Sequence, residues 1–115
     1  MKLTIGDTVL TAALADNSSA KTLEEKLRGG SITIRMEDYA RMEKVGTLPF
    51  RLPTNDQPLA TQAGDLILYL GSSFVIYYAP NSWRFTPLGR IEGVTAQELK
   101  RVLGRGDATV TLSLE

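Results

Sequence analysis

A chain of 115 residues with no cysteine and no histidine is the size of a single domain, and much ordinary protein chemistry is closed to it. Disulfides, thiolate nucleophiles, zinc–thiolate sites, serine–histidine triads and imidazole proton shuttles cannot be built from its residues. Thirteen basic residues balance thirteen acidic ones, scattered along the chain, so no electrostatic footprint for nucleic acid or an anionic membrane stands out.

The opening "MKLTIGDTVL" lacks the apolar stretch of a signal peptide, and "LILYL" and "FVIYYA" are too short to span a bilayer. A cytoplasmic protein is the expectation. Leu3 and Ile5 alternate with polar residues up to Gly6-Asp7, and a second alternating run begins at Val9, which predicts a hairpin. The cluster "DNSS" at 16–19 offers N-cap residues for a helix carrying Ala20, Leu23 and Leu27, and Gly29-Gly30 ends it.

Ile32, Ile34 and Met36 alternate with polar residues as in a half-buried strand. From Asp38 to Val45 the pattern dissolves into charge and reads as a solvated loop, Glu37, Asp38 and Glu43 being neutralised by Arg35, Arg41 and Lys44. "TLPFRLP" alternates Leu48, Phe50 and Leu52, but its prolines demote it to an edge or interrupted strand. Asp56 reads as a turn residue bonding its own backbone.

"GDLILYLGSSFVIYYAP" divides at Gly71-Ser72 into two apolar strands. One face of 74–79 must meet core, and the other meets either a covering helix or a ligand. Trp83 and Phe85 share a face, followed by a short segment around Leu88 to Ile91. Thr95 and Glu98 fit a capping box, Leu99, Val102 and Leu103 form the buried stripe, and Gly104 stops the helix. Arg105-Gly106-Asp107 reads as a turn rather than an adhesion motif. Val110, Leu112 and Leu114 alternate as a last strand. About eight strand-like segments and two short helices predict a mainly β protein, a closed barrel with two helices.

The pattern "LPFRLPTNDQP", "AGDLILYLGSSFVIYYAP", "LGRIEG" closely resembles a family of small prokaryotic proteins with a cyclophilin-like fold. The resemblance covers nearly the whole chain. Its most specific parts are Asn55-Asp56-Gln57, Gly64-Asp65 and the run from Leu88 to Gly93. It implies a closed eight-stranded cyclophilin-like β-barrel with two short α-helices, with the proline-stiffened crossover at 49–58 as part of a groove wall. Resemblance to the peptidyl-prolyl isomerases themselves is more distant. It makes Arg35 the counterpart of their strand arginine and puts Val75 where they carry a groove phenylalanine. Their groove histidine and the long insertions that complete their pocket have no counterpart here.

The leading functional expectation is therefore a non-catalytic binding module for a small molecule or extended peptide. Arg35, Tyr39, Phe50, Asn55, Tyr77 and Trp83 would form groove wall and rim, with Arg90 a further candidate for the edge. An alternative is a weak peptidyl-prolyl isomerase using Arg35, and a third is a homodimer built on the aromatic strand face. No metal or cofactor is called for.

Overall fold

The computed structural model describes residues 1–114. In chain order the elements are β1 (Lys2–Ile5), β2 (Thr8–Leu14), α1 (Ser18–Arg28), β3 (Ile32–Tyr39), β4 (Glu43–Thr47), β5 (Gln57–Thr61), β6 (Asp65–Tyr69), β7 (Ser73–Tyr77), β8 (Asn81–Glu92), α2 (Ala96–Leu103) and β9 (Ala108–Ser113). All strand pairs are antiparallel. Following the pairs gives β2-β1-β9-β3-β4-β7-β6-β8, and β8 pairs again with β2, so eight strands close into a ring. Closure leaves no exposed edge in the ring itself. The ninth strand, β5, lies outside it on the first half of β8.

Strand alternation fills the ring. Leu3, Ile5, Ile34, Met36, Phe74, Ile76, Val110 and Leu112 all face one buried cluster, and Leu23 and Leu27 of α1 with Leu99 and Leu103 of α2 pack into it. Eight strands enclose a space that side chains can just fill. Each fully buried leucine contributes about 2 kcal/mol from burial alone.

One strand serves two surfaces because it contains a bulge. Leu66 pairs with Gly89 but Ile67 pairs with Pro87, so Leu88 is an extra residue in β8. The bulge lets Leu88 and Ile91 reach the barrel interior while Phe85 joins a second cluster with Ile67, Val75 and Tyr77. The segments read from sequence as separate, around Trp83 and around Leu88, are thus one twelve-residue strand.

The helix ends follow local rules. Asn17 caps α1, its Oδ1 accepting from the Ala20 amide at 2.8 Å and its Nδ2 donating to the Pro87 carbonyl at 2.7 Å, which ties the helix to the bulge. Gly29 is still helical, and the left-handed residue that ends the run is Gly30, at φ 138°. Thr95 and Glu98 form the expected capping box on α2. Thr95→Ala is expected to cost about 1 kcal/mol, read as a lower urea midpoint with an unchanged slope.

Three expectations are corrected. Residues 38–45 are a hairpin rather than a solvated loop: Ala40 and Arg41 take left-handed φ of 54° and 55°, the Met42 amide closes on the Tyr39 carbonyl, and β3 pairs directly with β4. "TLPFRLP" is not a strand beyond Thr47. It crosses irregularly, pinned by the Leu48 and Leu52 amides to the Ser72 and Gly71 carbonyls, while Leu48 and Leu52 plug into the core. Asp56 does not bond its own backbone but accepts from the Thr86 hydroxyl at 2.7 Å.

Candidate functional site

The outer wall of the barrel carries the candidate site. Residues that alternate with the core on β3, β4, β6 and β7 point outward. There Tyr39, Glu43, Val45, Tyr69, Val75 and Tyr77 meet Asn81, Trp83 and Phe85 from the first half of β8 around a cavity of about 370 Å³. Val75, Tyr77 and Phe85 are buried, whereas Tyr39 and Trp83 are 63% and 65% exposed. The second face of β7 is therefore flanked by β8 and the Leu59 strand rather than by a helix, and it remains partly open. Phe85 stands between two tyrosines, edge-on to Tyr69 at 6.2 Å and tilted against Tyr77 at 5.6 Å.

A short polar relay ends this aromatic surface. Asn81 donates to the Tyr77 hydroxyl at 3.2 Å, and that hydroxyl donates in turn to Glu43. Glu43 is only 7% exposed. Burial raises its pKa, and the negative charge of Asp38 adds to the rise against the Tyr77 hydrogen bond. Burial likewise pushes the Tyr77 phenol up to about 12, against the Asn81 hydrogen bond and with Glu43 adding to the rise. Among the described residues, no lysine or arginine lines the groove beside Glu43.

The inner side of the same strands is different. Lys44 faces inward and is fully buried, its ammonium 3.2 Å from Asp38 and donating to the Gly106 carbonyl. Tyr78 donates to the same Asp38 carboxylate. Burial works to raise the Asp38 pKa, but the hydrogen bonds from Tyr78 and Lys44, the Lys44 charge and the Arg41 amide outweigh it and hold the carboxyl below its ordinary value. Burial, reinforced by Asp38, pushes the Tyr78 phenol up to about 12. A wider concavity of about 820 Å³ lies against this array, lined by Arg41, Lys100, Arg101 and Arg105. Lys100 and Arg101 also answer the negative end of α2.

Of the six residues singled out from sequence, Tyr39, Tyr77 and Trp83 come together in the outer groove. The other three lie elsewhere. Arg35 points outward from β3 toward β9 and is held by Asp107 at 2.9 Å. Phe50 packs against the main core beneath the Lys26 ammonium, 5.4 Å from its ring centre. Asn55 joins α1 to β8: its side chain donates to the Ser18 and Ser19 hydroxyls, each at 2.8 Å, and its amide donates to Thr86 at 2.8 Å. Ser19 donates to the Pro53 carbonyl, so the polar knot at 54–57 is a tie between elements rather than a wall of this groove. Arg90, the other edge candidate, is paired with Asp65 at 2.7 Å.

Sequence reading missed Glu43, Val45, Tyr69, Asn81 and Phe85 as partners of one site. Phe85 carried a signal, since it shares a face with Trp83, and Tyr69 lies in the apolar run "LILYL", but Glu43 and Val45 were hidden in a stretch that reads as loop.

Among the described residues no helix is long and apolar enough to cross a membrane. Compared with known proteins, the chain matches no curated protein and no solved structure. It does match a family model, described as the cyclophilin-like family, over residues 3–115. With nearly its whole length matched and eight strands closed into the expected ring, the chain belongs to the cyclophilin-like family.

Proposed function

We propose that this domain is a non-catalytic binding module whose ligand, a small molecule or an extended peptide, lies in the outer groove between the β3–β4 hairpin and the first half of β8. One observation carries the reading: five of the eight aromatic side chains in the chain line this one cavity. Trp83 and Tyr39 stand exposed together at its rim, and it is such contiguous apolar patches, not singly exposed residues, that mark interaction sites. The volume of about 370 Å³ falls at the lower end of small-molecule sites, which favours a small ligand. The engagement of Arg35 with Asp107, away from the groove residues, supports binding over isomerisation, since an isomerase needs its arginine beside the prolyl ring.

Trp83 is the only tryptophan in the chain, so its emission reports on the groove directly. Titration with benzyl alcohol and with an Ala-Ala-Pro-Phe tetrapeptide, followed by emission and amide shifts, is expected to move resonances around Tyr39, Val45, Tyr77 and Trp83. The proline's cis–trans exchange is expected to stay at its uncatalysed rate. Trp83→Ala and Tyr39→Ala are each expected to weaken binding about tenfold, the loss of one aromatic contact. Silence of both probes at millimolar concentration would remove the groove as a binding site. Accelerated exchange that vanishes in Arg35→Ala would instead establish the isomerase.

A further inference from the structure

The charge pattern of the groove narrows its occupant. Thirteen lysines and arginines are spread over the chain, yet among the described residues none lines this cavity. Among the described residues its one formally charged lining group is Glu43, nearly buried and opposite Tyr77 in the strand register, within a lining that also holds the rings of Tyr39, Tyr69, Tyr77, Trp83 and Phe85. The faces of aromatic rings carry negative potential and attract cations, most strongly for tryptophan. A carboxylate has several acceptor sites, of which the Tyr77 hydroxyl occupies one.

The two sides of the strand wall separate the charges further. Lys44, the residue next to Glu43, turns inward to Asp38 and is fully buried, so it does not neutralise the outer side. The basic side chains Arg41, Lys100, Arg101 and Arg105 surround a different concavity. An anionic ligand in the outer groove would meet a buried acid and no cation. A neutral apolar ligand would use the rings but leave Glu43 uncompensated. A cation would satisfy both.

Resting on the groove reading above, we infer that the ligand is a small alkylated ammonium compound, its cationic head held among Tyr39, Tyr77 and Trp83 with Glu43 as counter-charge. A quaternary or alkylated nitrogen suits this cavity better than a bare ammonium, because methyl groups spread the charge over an apolar surface that fits the rings and sheds its water easily.

The test compares choline with 3,3-dimethylbutan-1-ol, which has the same shape and no charge, by Trp83 emission and calorimetry on the whole chain. Choline is expected to bind at least tenfold more tightly. Glu43→Gln is expected to bring the ratio of the two affinities close to one. Should that buried substitution disturb folding, Tyr39→Leu at the exposed rim provides the second reading: it keeps an apolar surface, removes a π face, and is expected to lower the ratio at least threefold. Equal affinities in the unaltered protein would overturn the ammonium assignment while leaving the groove reading standing. Silence of both probes would also overturn it, and the benzyl alcohol and tetrapeptide titrations would show separately whether the groove binds anything. A short peptide bearing trimethyl-lysine that binds where choline does not would move the occupant to a macromolecule, and the small-molecule assignment would fall.

Discussion

Gly89→Ala is expected to cost about 3 kcal/mol, the upper range for overpacking a well-filled interior. The reason is the closure of the ring. Gly89 pairs with Leu14 across the β2–β8 seam. A Cβ there would lie far inside contact distance of the Ala13 carbonyl oxygen and 3.2 Å from both the Ala13 carbonyl carbon and the Leu14 Cα. Those are backbone atoms, which cannot rotate away as a side chain can, so the seam must part or the bulge beside Leu88 must shift. The backbone at Gly89 is not left-handed, so the cost is steric and not conformational. Gly6→Ala supplies the contrast: its φ is 58° and nothing lies within 4 Å of the added atom, so only backbone strain of about 1 kcal/mol is expected. Thermal unfolding checks both, with a fall of roughly 10 °C for Gly89→Ala. A fall no larger than that of Gly6→Ala would mean that the β2–β8 seam is not closed as described.

Asp38→Asn is expected to destabilise the fold by about 3 kcal/mol, because it leaves the fully buried Lys44 ammonium without its counter-charge. The figure sits at the low end for a broken buried pair since the Asp38 side chain is 23% exposed and water reaches its rim. The Gly106 carbonyl still accepts from Lys44, but a neutral dipole does not balance a charge. Replacing both partners, Asp38→Asn with Lys44→Met, is expected to recover much of the loss, because a buried pair adds little net stability over an apolar filling of similar size. Chemical unfolding of the two single variants and the double variant gives the coupling directly. A double variant as unstable as the sum of the singles would refute the pairing.

The same pair sets an acid dependence. The folded-state pKa of Asp38 lies below its ordinary value, so folding favours the carboxylate. Its contribution is fully present above the unfolded-state pKa of about 4 and is lost as pH falls through the lower folded value. Stability of the unaltered protein is expected to decline across that window more steeply than that of Asp38→Asn.

What could be read along the chain was whatever announces itself locally. Alternation at Ile32, Ile34 and Met36, the break at Gly71-Ser72, the capping box at Thr95 and Glu98 and the Gly6-Asp7 turn each depend on a few adjacent residues, and all are present in the fold. The β3–β4 hairpin was illegible for two physical reasons. Its inward positions are Asp38 and Lys44, which satisfy one another and so erase the apolar half of the strand pattern. Its turn is made by Ala40-Arg41 in left-handed conformation, where Asn-Gly would have been the recognisable signal. The strand at Gln57–Thr61 went unread because half of it faces solvent and a proline interrupts it.

By itself, then, the sequence determined the class of fold, the exclusion of cysteine and histidine chemistry, and an aromatic-rich segment that had to meet something besides the core. Only the tertiary structure decided which aromatics share a site. Tyr39, Tyr77 and Trp83 converge because three strands bring their outward faces to one wall, while Phe50 and Asn55 are drawn into packing and ties between elements. It also decided the sign of each surface. A chain with no net charge sends Lys44 inward and leaves Glu43 in the groove, because adjacent residues on a strand face opposite sides of the sheet.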